Sequence, residues 1–286
     1  MMKAMGDELR VAYLQQDIVW EDAEANFHEV EVAFERALTG REVDVLVVPE
    51  TFSTGFSDRM RELAEEQEGP SLAFAREMAR QHDALFVGSW AVKDADGLVR
   101  NRMHAVRPDG TWEWYDKAHT FRMSTEALQL ERGKRRETME WRGWRLRLAV
   151  CYDLRFPTWL RNELTATGRM QKATLEADQR PEMGEEEPLA YDVLVVVANW
   201  PDSRHETWTT LLEARAIENQ SYVVGVNRVG TDGLGIGYSG HSAVYDFRGR
   251  MVSTAEAGRE EVAVTCLDRK ALRAFRQHWP FYLDFD

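Results

Sequence analysis

The chain of 286 residues carries two cysteines, and one of them, Cys151, stands where a nucleophile could be held firmly and still reach a cleft. It closes the apolar run Leu146, Leu148, Ala149, Val150 and opens the polar turn Tyr152-Asp153-Leu154-Arg155. In α/β proteins, chemistry gathers at the carboxyl ends of strands, because the sheet fixes the backbone there while the side chain faces the loops. Two more runs end in charge. Val43-Asp-Val-Leu-Val-Val-Pro-Glu50 delivers a carboxylate ahead of the loop Thr51-Phe-Ser-Thr-Gly-Phe56, and Thr111-Trp-Glu-Trp-Tyr-Asp-Lys117 delivers an ammonium ahead of Ala118-His-Thr-Phe-Arg122. Taken singly, each charge could be the first solvated residue after a strand, and free cysteine often serves as a small buried hydrophobe. Together they match a chemical need. A thiol with a pKa of about 8.5 is mostly protonated at neutral pH and requires a base and a cation to react. Attack of such a thiol on a carbonyl compound also requires a proton donor for the leaving group and donors for the tetrahedral oxyanion.

The elements that must position these groups are legible as alternating patterns. Strand-like runs occur at Arg10–Gln15, Val43–Pro49, Ala84–Gly88, Met103–Arg107, Arg145–Val150, Val193–Ala198, Tyr222–Asn227 and Ser242–Tyr245. Helical stripes fall between several of them. Phe27, Val30, Phe34 and Leu38 repeat at i, i+3, i+7 and i+11, with Glu21, Asp22 and Glu24 suited to the helix N-terminus. Trp208, Leu211, Leu212 and Ala216 form a second stripe, predicting a βαβ unit from Val193–Ala198 to Tyr222–Asn227. Alternation of this kind predicts an α/β sandwich. No domain boundary is visible. The one compositional break, Thr165 to Pro188, holds Ala177-Asp-Gln-Arg-Pro181 and the acidic run Glu185-Glu-Glu187 and reads as an exposed insertion in a single domain spanning 1–286.

Composition narrows the partners. Lys and Arg total 36 against 49 Asp and Glu, a formal net charge of -13, which disfavours phosphate backbones and anionic membranes. No apolar run approaches the roughly 20 residues of a membrane span, and Met1-Met-Lys-Ala-Met-Gly-Asp-Glu lacks the apolar core of a secretory signal, so the expected location is cytoplasmic. Gly235-Ile-Gly237-Tyr-Ser-Gly240 has the spacing of a dinucleotide-binding turn, but a strand pattern rather than a helix follows, so Gly230–Gly240 reads as a loop near the pocket. Metal-binding and P-loop motifs are absent, and no cofactor or metal is expected. Cys266 alternates with Val262 and Val264 and reads as buried packing.

With these motifs on the page, the chain resembles the nitrilase superfamily of carbon–nitrogen hydrolases, and most closely its omega-amidase branch. The resemblance rests on VVPETFSTGF, YDKAHTF and AVCYDLRFP in that order, with VVVANWP, ARAIENQSYVVGVNRVG and GHSAVYDFRG farther on. It implies a four-layer α-β-β-α sandwich that forms a homodimer or higher homo-oligomer, and a catalytic triad of Glu50, Lys117 and Cys151. It further implies a second glutamate, for which Glu126 is the candidate and Glu131 the rival, and an oxyanion donor in the backbone N–H of Tyr152. Arg155 is the leading candidate for binding a substrate carboxylate, because guanidinium pairs bidentately with carboxylates; a protein carboxylate such as Asp153 or Glu163 is the competing partner. Asn199 and Trp200, in the VVVANWP motif, are further candidate substrate-binding residues. The implied activity is hydrolysis of a small dicarboxylate monoamide, of the 2-oxoglutaramate or 2-oxosuccinamate type, to acid and ammonia through a thioester. The alternatives are a nitrilase or N-carbamoyl amide hydrolase and, from another class, a catalytically silent binding or scaffold protein.

Overall fold

The computed structural model describes residues 6–176, 179–181, 184 and 186–285. The polar stretch 177–181 and the acidic run 185–187 therefore lie partly outside the described residues. In chain order the described strands are β1 (Glu8–Gln15), β2 (Val45–Val47), β3 (Glu65–Glu66), β4 (Leu85–Lys93), β5 (Val99–Val106), β6 (Trp112–Asp116), β7 (Thr138–Trp141) and β8 (Trp144–Val150), followed by β9 (Val193–Ala198), β10 (Tyr222–Asn227), β11 (Val229–Thr231), β12 (Gly237–Ser239), β13 (Ala243–Tyr245), β14 (Met251–Thr254) and β15 (Glu261–Asp268). One sheet has the order β15-β1-β2-β4-β5-β6 with β3 paired to β4, and the other has β14-β13-β10-β9-β8-β7. In each, a parallel centre (β1, β2, β4 and β8, β9, β10) is flanked by antiparallel strands.

Alternation along the strands builds the layers. Val11, Tyr13, Val47, Val87 and Met103 from one sheet meet Leu148, Val150, Val195 and Val224 from the other in a shared core. The intervening positions Ala12, Leu14, Leu46 and Phe86 turn outward onto Val30, Phe34 and Leu38 of helix Ala23–Leu38 and onto Leu72 and Ala75 of helix Pro70–His82. On the opposite side, Leu194, Val196 and Val223 pack under Trp208, Leu212 and Ala216 of helix His205–Asn219. The result is the α-β-β-α sandwich. Full burial of each large apolar side chain stabilises by roughly 1.5–3 kcal/mol, so the sandwich is held by its two-sided core and not by any single contact. Helix Ala23–Leu38 begins where the acidic cluster predicts, with the Asp22 side chain accepting from the N–H of Ala25.

Three segments differ from the sequence reading or add to it. Cys266 is exposed, not buried. Its alternation with Val262 and Val264 is real, but only those two pack against the helix-side cluster, because β15 is an edge strand and its outer face is covered along part of its length. Within 165–188, Ala166–Thr174 forms a helix whose Thr165 side chain accepts from the N–H of Gly168. That helix meets the C-terminal segment, where Tyr282 Oη donates to Gln171 Oε1 at 2.9 Å and Lys172 donates to the carbonyl of Phe285. Gly230–Gly240 forms the hairpin β11–β12, and the strand β13 after it rules out the dinucleotide-binding turn.

Candidate active site

Because β2 and β6 run in the same sense within one sheet, and β8 and β9 within the other, four strand ends open toward the same edge of the sandwich. Glu50 follows β2, Lys117 follows β6, Cys151 follows β8 and Asn199 follows β9. Thr51 and Cys151 both take positive φ, 45° and 47°. For residues with a Cβ this is a costly conformation, on the order of 1–3 kcal/mol, and here it turns the chain sharply as each strand ends.

Glu50 is fully buried yet completely engaged. Its Oε1 accepts from Lys117 Nζ at 2.9 Å and from Asn101 Nδ2 at 2.8 Å, and its Oε2 accepts from the N–H of Asn199 at 2.8 Å. Lys117 is shared. Its Nζ also lies 2.8 and 3.0 Å from the two oxygens of Glu126, which in turn accepts from the N–H of Phe121. Burial opposes charge on Lys117, but Glu126 and Glu50 outweigh it and hold the ammonium well above its ordinary range. Burial, reinforced by the charge of Glu50 and opposed by Lys117, raises the Glu126 carboxyl. Glu131, the rival second glutamate, is exposed. The loop carrying it is fixed at Gly133, whose N–H donates to the Lys117 carbonyl and where a Cβ would come within 1.9 Å of the Asp116 carbonyl oxygen.

Cys151 sits at the wall of a cavity of about 540 Å³, and its Sγ lies 3.9 Å from the carbonyl oxygen of Asn199. Burial, joined by the negative charge of Glu50, pushes the thiol well above its usual range. A thiol raised in this way needs a base to take its proton during reaction. Tyr152 lines the same cavity, and its N–H stands at the start of the 3-10 turn Cys151–Arg155, ahead of the first intrahelical bond.

Asp153 is the residue that sequence reasoning underweighted. Wholly buried, it accepts from Tyr115 Oη at 2.8 Å, from the N–H of His119 at 2.9 Å and from the N–H of Val150 at 3.1 Å, with His119 Nδ1 2.7 Å away. It thereby ties the loop after Lys117 to the turn that carries Cys151. The signal was present in the sequence, since Tyr115 and His119 belong to YDKAHTF and Asp153 to AVCYDLRFP.

The proposed substrate-binding trio separates. Asn199 spends its donors on the protein: the side-chain Nδ2 lies 2.7 Å from the Glu50 carbonyl and 3.0 Å from Thr51 Oγ1. Asn199 is therefore a clamp on Glu50, with its N–H donors spent on the protein, while it still lines the cavity and its Oδ1 has no partner among the described residues. Trp200 keeps its place in the cavity wall, where Arg155 lies over its ring at 5.1 Å. Arg155 is exposed and pairs with no carboxylate among the described residues; Asp153 is occupied as above and Glu163 pairs with Arg136 at 2.6 Å. Phe121, Tyr238, Leu234 and Ile236 supply apolar and aromatic surface to the wall, which also carries Asp58 and Arg204.

Beside the cavity, Asp202, His205 and His241 bring ligand atoms within 4.8 Å of one another. The two imidazoles stack nearly parallel, 4.6 Å apart at 13°. Stacked rings aim their in-plane lone pairs alongside each other instead of at one point, so this cluster reads as packing that braces the loop. None of the described helices is long and apolar enough to cross a membrane.

Comparison with known proteins bears on the family and the fold. The carbon-nitrogen hydrolase family model matches residues 10–277. The chain is 40% identical over 278 residues to omega-amidase YafV of Yersinia enterocolitica, covering 97% of each chain. It is 32% identical over 279 residues to 2-oxoglutaramate amidase of Bacillus subtilis, covering 96% of each. Among solved structures, XC1258 of Xanthomonas campestris, a CN-hydrolase superfamily protein with an arsenic adduct in its active site, superposes with a TM-score of 0.87 at 37% identity, covering 98% of this chain and 97% of that one.

Proposed function

This chain belongs to the carbon–nitrogen hydrolase family, and from that premise we propose that it is a cysteine-dependent omega-amidase, releasing ammonia from a small dicarboxylate monoamide of the 2-oxoglutaramate or 2-oxosuccinamate type. One observation carries the reading: the buried Glu50–Lys117 pair, 2.9 Å apart, acts on the thiol of Cys151, and Cys151 lines a cavity whose wall bears the guanidinium of Arg155, paired with no carboxylate among the described residues.

Glu50 takes the proton of the Cys151 thiol as sulfur attacks the amide carbon. The carbonyl oxygen becomes an oxyanion, held by Lys117 Nζ and the N–H of Tyr152. Glu50 then passes its proton to the leaving nitrogen, the C–N bond breaks, and ammonia departs from a thioester on Cys151. In the second half, Glu50 removes a proton from water as the water oxygen attacks the thioester carbon. Collapse returns the thiol, with its proton supplied from Glu50, and frees the acid. Glu126 holds Lys117 together with Glu50, so the ammonium is positioned before substrate enters. Arg155 takes the distal carboxylate, and the aromatic wall excludes water around the thioester. In the same reading the protein acts in the cytoplasm as a homo-oligomer and needs no cofactor.

The test is ammonia release from a panel of omega-amides, nitriles and N-carbamoyl amino acids, with mass spectrometry of quenched Glu50→Gln enzyme. The expected result is turnover of carboxylate-bearing omega-amides and an acyl group on Cys151. Acylation at Cys266, or full turnover by Cys151→Ala, would refute the assignment. A preference for nitriles or carbamoyl compounds would move the activity to another branch of the family.

A further inference from the structure

A second guanidinium stands on the wall of the cavity that holds Cys151. Arg204 lies in the loop between β9 and helix His205–Asn219, and its main chain is fixed. Trp200 Nε1 donates to the Arg204 carbonyl at 2.9 Å, His205 Nδ1 lies 2.9 Å from the Asp202 carbonyl, and the Asp202 carboxylate accepts from the Ser239 hydroxyl. The side chain is a different matter. It is exposed, its guanidinium carbon lies 5.5 Å from the centroid of Phe121, and no carboxylate pairs with it among the described residues. Arg155 has the same character, resting on Trp200 at 5.1 Å. Each guanidinium thus lies against an aromatic ring of one cavity and keeps its N–H donors for the occupant. In a chain with a net charge of -13, the cavity wall carries two arginines against one carboxylate, Asp58, a local balance opposite in sign to that of the whole chain.

We propose that Arg204 is a second substrate-binding residue which, with Arg155, clamps the acidic end of the substrate, and that the pair favours a carboxylate flanked by a carbonyl oxygen over one flanked by an ammonium. The inference rests on the amidase reading above and deepens it. One carboxylate offers about four lone-pair sites, enough for one bidentate guanidinium and part of a second, and a 2-oxo group supplies the remaining acceptor beside it. An α-ammonium at that carbon has only donors and would face a second positive charge. Asp58 also lines the cavity and is the residue from which an ammonium could gain, so selectivity measures which charge governs the site.

The experiment compares kcat/KM of wild type, Arg204→Gln, Arg204→Lys, Arg155→Gln and the double Gln variant on 2-oxosuccinamate, asparagine and neutral butyramide, with thermal melts as a fold check. Arg204→Gln should lose roughly 10- to 100-fold on 2-oxosuccinamate, mainly through KM, the scale of one charge-assisted hydrogen bond. It should leave butyramide within about twofold, narrow the preference over asparagine, and be partly rescued in Arg204→Lys. The double variant should lose less than the product of the single losses, because both arginines share one carboxylate. Unchanged activity on 2-oxosuccinamate, or an equal fall on butyramide, would overturn the role of Arg204. If Arg155→Gln alone abolishes the carboxylate preference, this inference fails while the amidase reading stands; if wild type releases no ammonia from any of the three and Cys151 stays unacylated, both fall.

Discussion

At the scale of single residues, Lys117 is the pivot, because it separates two buried carboxylates that would otherwise face each other. Lys117→Met should lower turnover by about 10²-fold or more, the cost of removing one oxyanion donor. It should also leave Glu50 and Glu126 without a cation between them, forcing one to retain a proton. The sign follows. A carboxyl whose folded pKa is raised above its unfolded value stabilises the fold below the unfolded value, and that contribution fades as pH rises through the folded pKa. The variant's stability deficit, measured by urea unfolding, should therefore be larger at pH 8 than at pH 5.5, and Glu126→Gln added to it should recover part of the loss. An active variant with a pH-independent deficit would make Lys117 a passive ion-pair partner. The raised thiol pKa yields a further expectation. Alkylation of Cys151 by iodoacetamide should accelerate about tenfold per pH unit above neutrality, since the thiolate fraction does so until the pKa is reached. A plateau near pH 7 would mean a preformed thiolate.

At the scale of elements, the stretch 165–188 looks dispensable in composition and is partly structural in place. None of its described residues lines the cavity, so replacing residues 170–187 by a short Gly/Ser link should leave kcat and KM nearly unchanged. The replacement would also remove Gln171 from Tyr282, Lys172 from the Phe285 carbonyl, and Glu187 from Arg273 and Arg276 of the C-terminal helix Arg269–His278, four polar contacts of the C-terminal segment. Arg276 would keep Asp192, 2.8 Å away, and the Tyr191 carbonyl. The expected loss is about 2–6 kcal/mol in denaturant unfolding, the sum of four such contacts at roughly 0.5–1.5 kcal/mol each. A large fall in kcat with stability preserved would instead mark the segment as a lid over the site.

At the scale of the whole molecule, the inter-sheet core joins residues from Leu9 to Leu272, so neither sheet can lose its partner without exposing the other. Unfolding should follow a single cooperative transition, coincident by fluorescence and circular dichroism. Its pH dependence has a source in buried histidines. Burial pushes His104 well below its ordinary value, and His82 and His241 shift the same way. A histidine with a depressed folded pKa favours the native state above its unfolded value of about 6.5, and the advantage is lost as pH falls below that point, where the unfolded chain takes up protons. Stability should drop from pH 7 toward pH 5, and His104→Gln, though less stable throughout because His104 stacks on Trp90 at 3.9 Å, should show a shallower slope. An unchanged slope would assign the acid sensitivity to other groups.

The sequence by itself determined much of this architecture. Runs of apolar residues ending in Glu50, Lys117 and Cys151 were visible because a strand's period of two and a helix's period of 3.6 are written in local order. Strands Val193–Ala198 and Tyr222–Asn227 and the helix between them follow directly from those periods. The choice of Glu126 over Glu131 did not, since five residues separate them and only the path of the loop past Gly133 decides which reaches Lys117. The exposure of Cys266 and the docking of Ala166–Thr174 likewise depend on which neighbours cover a face, and covering partners come from distant parts of the chain. The same holds for the arginines. Any guanidinium in an acid-rich sequence could be paired, and that no carboxylate among the described residues pairs with Arg155 or Arg204 became readable only once the positions of those carboxylates were fixed in space.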